Sequence, residues 1–112
     1  MTRRRTAYDP RQITFADFSV NGETLELQAE STVRLSLKEY ELLRLFVSRA
    51  NRTLDEKAIL EHIWGQDETA DADTVFLYVS YLRRKLQQVS SQAGIPGDRE
   101  NGYRLIKHSD AI

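Results

Sequence analysis

The sequence predicts an α+β domain: an antiparallel β-meander, then three helices, then a C-terminal β-hairpin. Three observations carry this. Apolar residues recur at every second position between Ile13 and Leu35, as in half-buried strands. They recur at every third or fourth position between Tyr40 and Leu86, as in amphipathic helices. Asn101-Gly102, a hairpin turn signal, precedes Tyr103-Arg104-Leu105-Ile106. A length of 112 residues suits one domain. Such a chain buries roughly 65% of its unfolded surface and needs no disulfide or metal staple.

Taken in order, Met1 to Gln12 carry three consecutive arginines and little to pack, so 1–12 reads as a linker or tail. The apolar pairs Ile13/Phe15, Phe18/Val20, Leu25/Leu27 and Val33/Leu35 predict three or four short strands, with Asn21-Gly22 as the turn between the second and third. Ser36-Leu37-Lys38-Glu39 fits a capping box. Behind it Tyr40, Leu43, Phe46, Val47 and Ala50 line one helical face, widened by Leu42 and Leu45, with Asn51-Arg52 as the stop. Thr53-Leu54 reads as a short strand. Asp55 or Thr53 then caps a second helix to about Trp64, with Ile59, Leu60 and Ile63 inward and Gly65 ending it. Gln66 to Ala72 is an acidic loop. A third helix, from about Asp73 to Val89, buries Val75, Val79, Leu82 and Leu86. The domain spans 13–107, and 108–112 forms a tail.

Composition removes several function classes. With 40% apolar and 29% charged residues the chain is globular, without an apolar run long enough for a membrane span or a signal peptide. The absence of cysteine excludes disulfides, thiol nucleophiles and thiolate-held metals, and fits a reducing cytoplasm. Enzymatic signatures are missing: no Gly-rich phosphate loop, no Gly-x-Ser-x-Gly elbow, and His62 and His108 stand far apart. Asp67, Glu68, Asp71 and Asp73 imitate a calcium loop but lack its central glycine and closing glutamate. No catalytic residue, cofactor site or metal site is therefore assigned.

The net charge of −1 conceals an asymmetry: Thr53–Asp73 carry net −6 and Thr74–Lys107 carry net +4. A neutral protein with one basic side can still meet a polyanion. On the third helix, the face opposite the core stripe carries Leu77, Ser80, Tyr81, Arg84 and Gln88. Thr74 and Tyr78 flank it on one side, Phe76 and Arg83 on the other. Hydroxyl, aromatic and apolar groups displayed this way suit base edges and thymine methyls in a major groove, with Arg83, Arg84 and Lys85 reaching phosphates. Arg99, Arg104 and Lys107 in the hairpin add a wing able to enter a minor groove. The order strands, helix, helix, basic helix, hairpin is that of a winged helix-turn-helix.

Four segments resemble the OmpR/PhoB family of response-regulator DNA-binding domains over about Ile13 to Ile106. They are Val33-Arg34-Leu35-Ser36-Leu37-Lys38-Glu39-Tyr40-Glu41-Leu42-Leu43, then Ile59-Leu60-Glu61-His62-Ile63-Trp64-Gly65, then Thr74-Val75, Tyr78-Val79 and Leu82-Arg83-Arg84-Lys85-Leu86, and last Gly102-Tyr103-Arg104-Leu105. The resemblance implies a cytoplasmic bacterial transcription effector domain, monomeric alone, that binds direct repeats of double-stranded DNA as a tandem dimer. It implies DNA contacts at Thr74, Leu77, Tyr78, Ser80, Tyr81, Arg83, Arg84, Lys85, Arg99, Tyr103 and Arg104. It also implies an RNA polymerase contact at Gly65, Gln66, Asp67 and Glu68, and a preceding receiver domain served by a sensor kinase. Strands starting by Ile13 leave no room for that receiver, so the chain is expected to be an excised effector fragment, a stand-alone protein being the alternative.

The sequence departs from the family pattern in places. Phe76 replaces a usual acid, Asp73 stands where a basic residue often precedes the helix, and Ser80 and Tyr81 replace commonly basic or polar positions. Gly97-Asp98 and Glu100 flank Arg99, where a Thr-Val-Arg-Gly-like run is usual. These changes remove positive charge and imply weaker affinity or an altered target. The competing reading is a winged-helix protein-interaction module using Phe76, Leu77 and Tyr81.

Overall fold

A computed structural model describes residues 12–107. The expected tails therefore lie outside the described residues, except Gln12, which pairs with Asn21 as the first residue of a strand. Strands β1 (Gln12–Phe15), β2 (Phe18–Asn21), β3 (Glu26–Gln28) and β4 (Thr32–Arg34) form an antiparallel sheet in chain order. Their register aligns Ile13 with Val20, Val20 with Leu27 and Leu27 with Val33. One apolar row thus crosses all four strands, and its central members Val20 and Leu27 are fully buried.

The Asn21-Gly22 turn is wider than a two-residue hairpin. The Asn21 side-chain oxygen accepts from the backbone N–H of Glu23 at 2.7 Å and of Thr24 at 3.2 Å. This side-chain turn carries the chain on to Leu25, which adopts φ 62°. Leu25 and Leu35, expected in strands, lie outside them. The two segments are joined because the Leu35 N–H donates to the Leu25 carbonyl at 2.7 Å.

Helix α1 (Leu37–Ser48) begins with the anticipated capping box: Ser36 accepts from the Glu39 N–H at 3.2 Å, and Glu39 Oε1 accepts from the Ser36 N–H at 2.7 Å. It stops before the expected Asn51-Arg52, because Asn51 turns to φ 67° and donates its N–H to the Leu105 carbonyl at 2.9 Å. Helix α2 (Glu56–Trp64) is capped by Asp55, which accepts from the Ala58 N–H at 2.7 Å. Ile59 and Trp64 are buried, while Leu60 and Ile63 are half-buried. Helix α3 (Ala72–Gln88) is capped by Asp71, so Ala72 belongs to the helix rather than to the acidic loop.

Beyond α3, β5 (Ala93–Gly94) pairs with β8 (Ile106–Lys107), and β6 (Gly97–Asp98) pairs with β7 (Gly102–Tyr103). Leu54 bridges to Tyr103, which realises the expected short strand before α2 as a single antiparallel bridge. The tight turn falls on Arg99–Asn101 rather than on Asn101-Gly102. Asp98 accepts from the Asn101 N–H at 2.7 Å, and Gly102 opens the return strand. Glycine is required at 102: its φ is +91°, and a Cβ there would stand 2.7 Å from the Leu54 carbonyl oxygen.

The sheet packs at the C-terminal end of α3. Lys85 Nζ donates to the Arg34 carbonyl at 2.9 Å, the Glu30 N–H donates to the Val89 carbonyl at 2.9 Å, and Asp17 accepts from Ser91 Oγ at 2.7 Å. The N-terminal part of α3 and the β6–β7 wing are left to form one open side. This is a winged helix-turn-helix.

Candidate nucleic-acid interface

The 3.6-residue period of α3 sets its inner and outer faces. Val75, Val79 and Leu82 are fully buried and Leu86 is 1% exposed. On the opposite face Leu77 is 45% exposed, Arg84 and Gln88 are exposed, and Ser80 and Tyr81 are half-buried. The Ser80 hydroxyl donates to the Phe76 carbonyl at 2.9 Å, which leaves its lone pairs free to accept. Tyr81 is oriented by an edge-to-face series, with ring centroids 5.1 Å apart from Trp64 to Tyr78 and 5.4 Å apart from Tyr78 to Tyr81. Thr74 is half-buried and completes the helix cap, accepting from the Asp71 N–H at 3.3 Å.

The consecutive cations Arg83, Arg84 and Lys85 diverge. Arg83 turns to the wing: Nε donates to the Ile95 carbonyl at 2.8 Å, Nη2 donates to the Gly97 carbonyl at 3.0 Å, and Cζ lies 5.4 Å from the Tyr103 ring centroid. Lys85 turns to α1, 2.7 Å from Glu39 Oε1. Glu39 is the one buried charged side chain among the described residues, so Lys85 is its counter-ion. The sequence places Arg83 and Lys85 within reach of phosphates; the structure seats both heads on internal partners. Arg84 alone of the three faces solvent, with no ion pair or hydrogen bond from its side chain to another described residue.

Tyr103 of the wing is likewise turned inward. Its ring is fully buried beneath Arg83, and its hydroxyl faces Glu56 Oε2 at 3.4 Å. Burial, and secondarily the Glu56 charge, pushes the phenol pKa upward, so it stays a neutral donor that anchors the wing. Arg104 is exposed, and its side chain makes no ion pair with a described residue.

Arg99, at the wing tip, folds back onto the helices. Nη2 lies 2.7 Å from Asp73 Oδ1 in the first turn of α3, and Nε lies 3.0 Å from Glu56 Oε2 in the first turn of α2. Its Cζ stands 5.4 Å from the Phe76 ring centroid. The Asp73 hydrogen bond, foremost, and the Glu56 charge raise an already high guanidinium pKa, so the group stays charged. Two of the departures from the family pattern, Asp73 and Phe76, thus meet at the wing-tip arginine. Glu56 was missed by reasoning from sequence. Its signal was the acidic stretch facing a basic one, without the topology that pairs them.

Between α2 and α3, Gly65, Gln66, Asp67 and Glu68 are exposed in a tight turn. Asp67 Oδ1 accepts from the Thr69 hydroxyl at 2.6 Å and the Thr69 N–H at 2.9 Å, which holds its carboxyl below the usual aspartate value.

Comparison with known proteins places this geometry in a family. The heme response regulator HssR of Staphylococcus aureus (strain JH9) is 30% identical over 107 residues, 95% of this chain and 48% of HssR. The chain therefore spans about half the length of the curated relatives it matches. The DNA-binding domain of Bacillus subtilis CssR is 26% identical, with a TM-score of 0.68 over 80% of this chain and 99% of that one. The DNA-binding domain of response regulator AdeR, solved in complex with an intercistronic region, shares the fold at 22% identity and a TM-score of 0.68, over 82% of this chain and 96% of that one. Residues 30–105 match the family described as "Transcriptional regulatory protein, C terminal", of the OmpR/PhoB effector type, and the chain belongs to that family.

Proposed function

We propose that this chain binds double-stranded DNA sequence-specifically, as the effector domain of a two-component response regulator in the bacterial cytoplasm. The observation that carries the proposal is the outer face of α3. Leu77, Ser80, Tyr81 and Gln88 offer apolar and hydrogen-bonding surface beside the exposed Arg84, while the opposite stripe holds the core. Such a face reads base edges and thymine methyls in a major groove, and Arg84 and Arg104 neutralise phosphates. Arg83, Tyr103 and Lys85 serve this interface by fixing the wing and the helix in place. The role is recognition rather than catalysis. In the full protein a receiver domain served by a sensor kinase controls occupancy of direct repeats by a tandem dimer. The Gly65–Glu68 turn is the surface offered to RNA polymerase.

Selection of duplexes from a random pool, followed by affinity measurements on selected and random DNA at several salt concentrations, tests the reading. Tyr81→Ala should lower the preference for the selected site by about 1–3 kcal/mol and leave the salt slope unchanged, because no counterion-releasing group is removed. A selection that yields no preferred sequence, with apolar salt-independent binding of a protein instead, would replace DNA recognition by a protein-interaction role for Phe76, Leu77 and Tyr81.

A further inference from the structure

The wing tip holds an arrangement that DNA binding alone does not require. Arg99 is held by internal partners: Asp73 Oδ1 lies 2.7 Å from Nη2, Glu56 Oε2 lies 3.0 Å from Nε, and the Phe76 ring covers one face of the guanidinium. Arginine forks recognise carboxylate and phosphate with the same geometry, so two carboxylates converging on one guanidinium occupy the positions that phosphate oxygens would take. The pair is not a buried structural necessity. The Arg99 side chain is 43% exposed and that of Asp73 is 78% exposed, which leaves both open to exchange partners. Glu56, 13% exposed, is the fixed half of the site, and Asp73 on its exposed helical turn is the labile half.

We propose that Asp73 and Glu56 are specificity-setting residues. Their carboxylates act as internal surrogates for phosphate and hold Arg99 away from duplexes of arbitrary sequence. The proposal rests on DNA being bound by α3 and the wing. A phosphate passing the wing must displace both carboxylates and the Phe76 ring before it gains the contact. Weak, sequence-independent encounters therefore proceed with one cation fewer than the wing's sequence suggests. A site that seats the wing closely can afford the exchange.

The test is a double-mutant cycle with Asp73→Asn and Arg99→Ala on the whole chain, read as affinity for a random duplex by fluorescence anisotropy across a salt series. Asn conserves shape and removes the charge that competes with phosphate. Asp73→Asn should steepen the salt slope by about 0.9, which is about a fivefold gain in random-duplex affinity at 0.15 M salt. Arg99→Ala alone should leave the random-duplex slope nearly unchanged, and added to Asp73→Asn it should abolish the gain. A gain that persists in the double variant means Asp73 acts by general repulsion, and overturns the proposal. So does a slope that already falls by about one in Arg99→Ala alone. If the wild-type chain binds duplex with no salt dependence and Arg84→Ala changes nothing, DNA binding at this face fails instead, and the surrogate role fails with it. Glu56→Gln should act in the same direction as Asp73→Asn, and thermal melts of each variant establish that the protein assayed is folded.

Discussion

Replacing Arg83 and Arg84 separately distinguishes a wing tether from a phosphate contact, although the two residues are neighbours in one basic run. Arg83 makes two charge-assisted hydrogen bonds to the Ile95 and Gly97 carbonyls and caps the Tyr103 ring. Bonds of this kind contribute about 1.5–3 kcal/mol each when buried, and a cation over an aromatic face adds about 0.5–1 kcal/mol. Arg83 is half-buried, so water replaces part of what is lost, and Arg83→Ala should destabilise the fold by about 2 kcal/mol in urea melts. For a domain of this size that lowers Tm by roughly 10 °C. Arg84, exposed and without a partner among the described residues, should change stability by no more than about 0.5 kcal/mol on conversion to alanine. On duplex DNA the order reverses. Arg84→Ala should lower the salt slope by about one, and Arg83→Ala, measured where it is fully folded, should lower it far less. A stable Arg83→Ala variant that loses a full unit of slope would refute the tether.

Three further outcomes follow from the structure. Leu82 is fully buried on α3, so Leu82→Ala should cost about 2–5 kcal/mol in the same melts, whereas Gln88→Ala on the exposed face should cost less than about 0.5 kcal/mol. Lys85→Met strands the Glu39 carboxylate in the interior and should cost about 3 kcal/mol, a loss that Glu39→Gln in the same chain should partly restore, because the amide still accepts from the Ser36 N–H. The Asp98 carboxyl is held below its ordinary value chiefly by the Asn101 N–H. A folded-state value below the unfolded one means its contribution is complete above the ordinary aspartate range and is lost as pH falls through the lowered value. An NMR titration should therefore show the Asn101 amide shifting only at that lower pH, and a midpoint at the ordinary aspartate position would contradict the turn geometry.

The fold was legible wherever one local rule acted alone. Ser36 and Glu39 specify their capping box through residues three apart, and α1 begins where they place it. The steps of four, three and four from Val75 to Leu86 define the buried stripe of α3 without outside help. Misplaced boundaries occur where a distant backbone group competes. Asn51 leaves the helix to donate to Leu105, and Gly102 is fixed by the approach of Leu54, not by its turn partner Asn101. Those contacts join segments roughly fifty positions apart, beyond any periodicity. The short β6 strand, poorly favoured at Gly97-Asp98, forms because Tyr103 brings its partner from the core outward.

On the outer face of α3 the exposure of apolar and hydroxyl groups was legible in the sequence and the partners of the cations were not, for a geometric reason. Successive residues on a helix are rotated by about 100°, so three consecutive cations cannot share a face. Here Arg83 falls toward the wing, Arg84 toward solvent and Lys85 toward α1, and each neighbouring element supplies the acceptors that its cation meets. Arg99 is likewise claimed by Glu56 and Asp73, from two elements that the chain order separates. A basic run counted along the sequence therefore overstates the phosphates that a folded domain can neutralise. Among the described residues of α3 and the hairpin, the heads without an internal partner are Arg84, Arg104 and Lys107, with Arg99 released only by exchange. Their share of the salt slope for random duplex should accordingly approach about −3, against about −5 if Arg83, Lys85 and Arg99 also met phosphates. A slope near the larger value would mean that DNA pulls these cations from their internal partners, and the tethered arrangement would then belong to the free protein alone.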